Sequence, residues 1–464
     1  MNPATLLAIQ AGKAASLLTR RLRLGGGTNF PGTLARRIDP GVLRGLAAAL
    51  PQGAVLLSGT NGKTTTARMI SGLLRASGRE VLHNRAGANL ITGLTATMLA
   101  GCDLRGRLPH DIGLFETDEA ALPQAMAETQ PRLVLIHNLF RDQLDRYGEV
   151  DTLANAWHAA LAELPASSTV LLNADDPAVA WLGHELAAQV VYYGLDDTRH
   201  AAGAAAHIAD SHFCHRCGAR YAYTHAFYSH IGHYHCPACG LERPAPQVRL
   251  ERLDLHGTAG SQLSITHSGG TLDLSLPLPG LYNALNALAA TAAGLALDVA
   301  PEHIRSALEG FTAAFGRIEK VQAGADGAPM LIALIKNPVG ASETVRMLTT
   351  SDEPLHLLVA INDRYADGTD VSWLWDADFE PLVARSTQVF VSGTRAEDMA
   401  VRLKYAGVPA EQIHSEPELP RALDAALAAL PAGATLSILP TYTAMLELRT
   451  ELARRGWVRP FWAE

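Results

Sequence analysis

Two groups of residues have the types and the spacing to do chemistry. The first is Gly59-Thr-Asn-Gly-Lys-Thr-Thr65, lying between a short apolar run, Ala54 to Leu57, and a helix-compatible stretch, Ala67 to Leu74. The order strand, glycine-rich turn, helix aims successive backbone N–H groups at an anion, and the helix start adds unpaired donors and a favourable dipole. Gly59, Thr60, Asn61, Gly62, Lys63, Thr64 and Thr65 are therefore the candidate phosphate cradle. Lys63 supplies a point charge between phosphates, and the Thr64 hydroxyl stands where it can join a Mg²⁺ shell. Counted back from Gly62, the usual Gly-x-x-x-x-Gly-Lys-Ser/Thr spacing puts its first glycine at Leu57, so the motif is a variant. The second group is Cys214-His-Arg-Cys217 with Cys236-Pro-Ala-Cys239. Two thiolates in each of two tight turns make a tetrahedral all-sulfur set suited to structural Zn²⁺, whereas a redox dithiol needs only one pair. The histidines crowded between 207 and 235 are read as packing and surface, because four thiolates already complete the shell.

Further candidates stand just past apolar runs. Glu116 ends the run Ile112 to Phe115 and is placed to reach Mg²⁺ directly or through water, with Asp118 and Glu119 read as supporting charges or a helix start. Asn138 and the polar cluster 141–149 follow Leu133 to His137, and fit either phosphate and metal positioning or a capped, solvated helix start. Asn283 and Asn286 are three apart and share one helical face. They either read an adenine edge or cap and bridge polar loops. Arg317 lies in Phe315-Gly-Arg-Ile-Glu319 between two domains, and Lys336 opens Lys336-Asn-Pro-Val-Gly340 after a strand. Asp363, Asp367 and Asp370 stand close together after a strand, a pattern that fits metal or ribose binding, while Trp373 and Trp375 beside them mark a protein interface if exposed.

These groups need elements to hold them. A length of 464 residues suggests about three domains. From 54 to about 200 the alternation of apolar runs with helical stretches predicts a parallel α/β sheet covered on both faces, with ligands collected past the strand ends. Strand candidates are Ala54–Leu57, Glu80–His83, Ile112–Phe115, Leu133–His137, Val170–Leu172 and Val190–Tyr193. Leu263–Thr266 and Leu272–Leu276 read as antiparallel or edge strands. A second α/β unit begins after Phe311, with strands at Leu331–Ile335, Leu355–Ile361, Gln388–Val391 and Thr435–Leu439 and helices at about 396–406, 420–430 and 442–455. The expected domains are an N-terminal helical segment (1–50), a central domain (51–310) carrying the four-cysteine insert (205–245), and a smaller α/β domain (311–464).

Composition narrows the function classes. Hydrophobic residues are 48% and charged residues 18%, and no uninterrupted apolar run approaches the ~18 residues of a membrane span. A net charge of −8 argues against nucleic-acid binding through a broad basic face. Four of the five cysteines fall within 26 residues, with Cys102 alone, which fits a metal knuckle in a reducing cytoplasm better than a disulfide scaffold. At the N-terminus Ala4 to Leu18 precedes Thr-Arg-Arg-Leu-Arg at 19–23. Its charges follow the apolar part, so it reads as an amphipathic helix that docks on the body or touches a membrane surface, and not as a signal peptide.

The phosphate loop, Glu116, the helix Pro279-Gly-Leu-Tyr-Asn-Ala-Leu-Asn-Ala-Leu-Ala-Ala290, the Phe-Gly-Arg-x-Glu hinge and Lys-Asn-Pro-x-Gly together resemble the ATP-dependent Mur ligases and folylpolyglutamate synthases. More narrowly, Asn138 to Glu149, the four-cysteine insert and Ala366-Asp-Gly-Thr-Asp-Val-Ser-Trp373 resemble the MurT family, the Mur-ligase-like subunits of lipid II isoglutaminyl synthase. Only residues 1–50 precede the phosphate loop, which strengthens the narrower match, since ordinary Mur ligases carry a nucleotide-sugar-binding domain there. Gln143 stands where they place a histidine that supports a second metal, so no second-metal set is assigned.

The resemblance implies ATP- and Mg²⁺-dependent amidation of the D-glutamate α-carboxylate of the lipid II stem peptide through an acyl phosphate. Lys63 and the loop N–H groups would hold phosphates, Thr64 and Glu116 would locate Mg²⁺, Asn283 and Asn286 would seat adenine, and Arg317 and Lys336 would lie near the domain cleft. It implies ammonia from a GatD-type glutaminase in a heterodimer, with Asp370 completing that partner's triad and Asp367 and Asp376 as the rival carboxylates. It also implies a cytoplasmic protein acting at the inner membrane surface. Two other readings compete: a stand-alone amino-acid ligase, and a zinc-containing interaction or nucleic-acid module.

Overall fold

The computed structural model describes residues 3–21, 29–84, 87–140, 150–201, 211–312, 317–324, 327–350 and 352–459. The polar cluster 141–149 with Gln143, the hinge residues Phe315 and Gly316, and His207 lie outside the described residues. The chain forms two compact units. One holds Met1–Asp254, Gln262–Leu276 and Asn283–Phe311, and the other Leu255–Ser261, Pro277–Tyr282 and Thr312–Glu464.

The first unit opens with helices α1 (Pro3–Arg21), α2 (Phe30–Ile38) and α3 (Val42–Ala47). Then come β1 (Ala54–Ser58), α4 (Lys63–Ala76), β2 (Val81–His83), α5 (Ile91–Gly101), β3 (Ile112–Glu116), α6 (Leu122–Thr129), β4 (Leu133–Ile136), α7 (Val150–Ala162), β5 (Thr169–Asn173), α8 (Pro177–Trp181) and β6 (Gln189–Leu195). A two-stranded ribbon, β7 (Ala222–Tyr228) and β8 (Ile231–His235), is inserted before β9 (Val248–Leu255), β10 (Ser261–His267) and β11 (Gly270–Leu276). Helices α9 (Leu281–Ala296) and α10 (Pro301–Glu309) follow.

One sheet carries strands in the order β11-β10-β9-β6-β5-β4-β1-β3-β2. From β2 to β9 the pairings are parallel. The centre is apolar on both faces: every residue of β1, β3 and β4 is buried. Such strands read as continuous apolar runs because helices cover both sides. The N-terminal helices share this core, where Ala8, Ile9, Leu43 and Leu46 join Leu94, Met98 and Phe115. The α1 helix thus docks on the body through one face.

The second unit contains β12 (Arg317–Gln322), β13 (Pro329–Ala333), α11 (Pro338–Leu348), β14 (Leu355–Ala360), β15 (Ser386–Ser392), α12 (Ala396–Ala406), β16 (Ile413–Ser415), α13 (Leu419–Ala428), β17 (Leu436–Pro440) and α14 (Tyr442–Arg454). Its sheet runs β12-β13-β17-β14-β15-β16 and is parallel except for β12. Three of its elements go beyond the sequence reading. In β12 the pairing with β13 shifts register between Arg317 and Glu319, and Ile318 takes a positive φ of 59°. A bulge of this kind breaks the two-residue alternation by which a strand is recognised. Strand β16 is only three residues long, and α11 was marked by its Asn337-Pro338 start and not by a long apolar period.

Candidate active site

The phosphate loop leaves β1 at Ser58 and enters α4 at Lys63. Gly62 has φ 85°, and a Cβ there would lie 2.2 Å from Asn286 Oδ1. A side chain at Gly59 would press to 3.0 Å against the backbone of Asn138. Both glycines are therefore fixed by their neighbours as well as by the turn, and the loop is left as bare backbone around the start of a 14-residue helix. That is a cradle for an anion.

Charged groups converge on it. The Thr64 hydroxyl donates to Glu116 Oε1 at 2.9 Å, so the two sequence-predicted magnesium groups meet directly. Glu116 is anchored through its backbone: Asn84 Oδ1 accepts from Glu116 N at 2.9 Å, and Asn84 Nδ2 donates to Glu116 O at 2.7 Å. Lys63, 8% exposed, donates to Glu119 Oε1 at 2.7 Å and to the carbonyl of Gly59. Glu119 is thus the counter-ion of the loop lysine, a role sharper than the supporting charge read from sequence. Asp118 makes a local turn, accepting from Ala120 N at 3.1 Å.

A second strand end clamps the loop. After β4, Asn138 Oδ1 accepts from Asn61 N at 2.8 Å while its Nδ2 donates to Asn61 O at 3.0 Å. Thr60 N donates to Asn138 O, and Thr60 Oγ1 both accepts from Phe140 N at 3.0 Å and donates to Phe140 O at 3.1 Å. Beneath lies His137, buried, with Nδ1 2.8 Å from Tyr193 Oη and Nε2 2.8 Å from Asn286 Oδ1. Thr66 Oγ1 donates to the same Asn286 oxygen at 3.2 Å, and Asn286 Nδ2 donates to Asn283 Oδ1 at 3.3 Å. An amide oxygen only accepts, so His137 carries its proton on Nε2 and Nδ1 accepts from the tyrosine. Asn283 and Asn286 are both buried, and Asn286 braces the phosphate loop. His137 was read from sequence only as the end of an apolar run.

Burial pushes His137 down from 6.5 to about 4. The folded chain keeps it neutral while the unfolded chain protonates it below 6.5, so its contribution to stability is lost as pH falls between those values. The slope reaches about 1.4 kcal/mol per pH unit and the total about 3 kcal/mol. Urea midpoints at pH 7 and pH 5 are expected to show this loss. His137→Gln, which can still donate to Asn286 and accept from Tyr193, is expected to reduce it; an unchanged difference would remove His137 from the account.

The cysteine insert docks beside this clamp. The four sulfurs lie within 4.8 Å of one another, with Cys214 to Cys239 at 3.6 Å and Cys217 to Cys236 at 3.5 Å. Zn–S bonds of about 2.3 Å in a tetrahedron put sulfurs about 3.8 Å apart, so this donor set fits Zn²⁺. The two turns are alike: Cys214 N donates to Ala219 O and Gly218 N to Cys214 O, while Cys236 N donates to Leu241 O and Gly240 N to Cys236 O. At the other end of the ribbon His230, fully buried, sits 3.2 Å from Asp176 Oδ2 with its ring 4.7 Å from that of Phe140. Asp176 caps α8 through Ala178 N and Val179 N and accepts from Leu139 N at 2.8 Å. Arg243 seals the base of the insert, pairing with Asp175 at 2.7 Å and Asp196 at 2.9 Å. The ribbon tip therefore backs the segment that clamps the phosphate loop.

The remaining predicted residues belong to the second unit. Arg317 begins β12, and Lys336, half-buried, precedes the Asn337 cap of α11, where Asn337 Oδ1 accepts from Gly340 N at 2.8 Å. Asp370 is exposed; the backbone N–H of Ser372 and then its hydroxyl hold the carboxyl below the ordinary carboxylate range. Asp367 is buried, accepting from Thr443 N at 2.7 Å and from Thr443 Oγ1. Trp375 is 54% exposed with Tyr405 5.6 Å away, and Trp373 is half-buried.

Comparison with known proteins gives the lineage. Residues 57–294 match the Mur ligase middle domain, and residues 334–445 match the MurT ligase C-terminal domain. The chain is 35% identical to the lipid II isoglutaminyl synthase (glutamine-hydrolyzing) subunit MurT of Streptococcus pneumoniae R6, over 99% of both chains. It is 34% identical to the Staphylococcus aureus N315 subunit of the same description, over 87% of both. Among solved structures, a pseudomurein peptide ligase type C from Methanothermus fervidus superposes with a TM-score of 0.66 at 22% identity, covering 86% of this chain and 78% of that one. A Mycobacterium tuberculosis folylpolyglutamate synthase superposes with a TM-score of 0.59 at 16% identity, covering 97% and 95%. These two show the shared fold. With a phosphate loop, a paired strand-end carboxylate and a four-cysteine insert on that fold, the chain belongs to the MurT family of Mur-type ligases.

Proposed function

We propose that the protein is the synthase subunit of a lipid II isoglutaminyl synthase, amidating the D-glutamate α-carboxylate of the lipid II stem peptide to D-isoglutamine. The observation that carries the proposal is the meeting of Thr64 and Glu116 at 2.9 Å beside Lys63, in a chain related along nearly its whole length to subunits of that description. A free carboxylate is a poor electrophile; transfer of the terminal phosphate of ATP makes an acyl phosphate whose phosphate leaves when ammonia attacks. Magnesium, when bound, would neutralise charge on the transferring group. Thr64 and Glu116 would hold that ion, and Lys63 with the N–H groups of Gly59 to Thr65 would grip the phosphates and stabilise developing charge. Asn283 would face adenine, with Asn286 holding the loop behind it. Arg317 and Lys336 would act from the second unit, and exclusion of water would protect the acyl phosphate.

Ammonia would come from a GatD-type glutaminase in a heterodimer, with Asp370 orienting the catalytic histidine of that partner. Asp370 is the better placed carboxylate, because Asp367 is spent on Thr443. Zn²⁺ would be held by Cys214, Cys217, Cys236 and Cys239 as a structural ion. Among the described residues no helix is long and apolar enough to cross a membrane, and the protein would work at the cytoplasmic membrane face as a peripheral enzyme. Detergent-solubilised lipid II with ATP, Mg²⁺ and ammonium is expected to yield one phosphate per amidated product with this chain alone. Glutamine is expected to replace ammonium only when the glutaminase is added; no phosphate release under either condition would overturn the reading.

A further inference from the structure

Helix α1 has two faces of nearly the same chemistry. Thr5, Ala8, Ile9, Gly12 and Ala15 point into the first unit and are buried. The opposite stripe, at helical spacing, exposes Leu7 at 58%, Leu17 at 68% and Leu18 at 58%, together with Ala14 and only one polar residue, Gln10. A helix lying on a body normally turns charged and polar residues outward. This one turns three leucines to solvent between positions 7 and 18, and Phe30 at the start of α2 adds a further apolar group at 55% exposure.

Charge identifies the occupant. Residues 1–38 contain six bases, Lys13, Arg20, Arg21, Arg23, Arg36 and Arg37, and no acid, in a chain whose net charge is −8. Arg36 is neutralised by Glu128 through two bonds of 2.5 and 2.8 Å and Lys13 donates to Leu99 O at 2.8 Å, but Arg37 is exposed and Arg20 and Arg21 stand in the last turn of α1. Asp39 accepts from Thr5 and Glu128 is paired with Arg36, and an apolar stripe that ends in arginines is complementary to an anionic lipid surface: leucines enter the acyl boundary while arginines meet headgroup phosphates. A second copy of this chain would instead bring the same positive charge against itself.

We infer that the outward face of α1 is the membrane-docking surface of the protein, and that it takes anionic phospholipid. This deepens the proposed function, on which it rests for its purpose: it would hold the enzyme on the surface that contains a lipid-linked acceptor. The leucine stripe is on the far side of α1 from the core, so its substitution leaves the packing of Ala8 and Ile9 in place.

The test is co-sedimentation of the full chain with vesicles of phosphatidylglycerol and phosphatidylcholine, against phosphatidylcholine alone. Binding is expected only to the anionic vesicles and to weaken with salt. Leu17→Asp with Leu18→Asp is expected to lower vesicle binding about tenfold or more, with the melting temperature unchanged. Amidation of detergent-solubilised lipid II by the same variant is expected to match wild type, which separates this inference from the catalytic reading. Equal binding to neutral vesicles, no binding to either, or full retention of binding by the variant overturns it. So does a wild-type dimer that the variant converts to monomer, since the stripe would then belong to a second copy.

Discussion

Lys63→Ala is expected to lower lipid II-dependent phosphate release, with ammonium as nitrogen source, by about a thousandfold. The loss of one preorganised charge at a transferring group is of that order, about 4 kcal/mol of barrier. The variant carries a second effect that must be separated from the first. Lys63 is also the counter-ion of Glu119, and both side chains are at most 10% exposed. Removing one member of such a pair strands the other and costs about 3 kcal/mol. Lys63→Ala should therefore melt earlier as well as fail in catalysis. Adding Glu119→Gln removes the stranded charge, so the double variant is expected to recover thermal stability while remaining inactive. Recovery of activity in the double variant would mean that the lysine acts only through folding, and the phosphate assignment would fail.

Asp370→Asn is expected to divide the two chemistries. With the glutaminase partner and glutamine, amidation should fall by about ten-thousandfold, the scale on which a histidine loses its orienting carboxylate. With ammonium it should stay within about twofold of wild type, because Asp370 lies on the exposed loop before Ser372 in the second unit, whereas the phosphate cradle is built from residues of the first unit. The side chain is held by the backbone N–H and the hydroxyl of Ser372, and asparagine Oδ1 can keep the backbone bond, so the loop should keep its shape. Equal loss with both nitrogen sources would move Asp370 into the ligase reaction. No loss with either would pass the role to Asp376, also exposed.

Much of this was legible before any coordinates, and the reasons are local. The Gly59–Thr65 loop, the ends of β1, β3 and β4, and the paired Cys-x-x-Cys turns are each written within a few consecutive residues, where period and turn chemistry decide the backbone. The parallel sheet was legible for the same reason, since strands buried on both faces have no alternation to hide. What escaped was made by distance. Nothing near His137 announces that its ring meets Asn286, 149 residues away, or that Thr66 shares the same oxygen from 220 residues. The amides Asn283 and Asn286 share a helical face as expected, but the direction that face takes is set by the packing of α9. The pairing of Lys63 with Glu119 likewise needs β1 and β3 to lie side by side, a neighbour relation that their sequences allow without requiring. Strand β12 escaped for a different reason, because its bulge at Ile318 removes the pattern itself.

The ribbon tip also imposes an order on maturation. The glycine turn and its helix are synthesised early, and the clamp at Asn138 to Phe140 soon after, yet His230 and the four thiolates arrive only when the ribosome has passed the sixth strand. Capture of an ion by those thiolates would add to the small core that Tyr221 and Tyr234 form with Cys214 and Cys236. Strands β1 to β6 can thus pair before the ribbon that backs the clamp exists, whereas β9 to β11 join the edge of the same sheet only after it has been made.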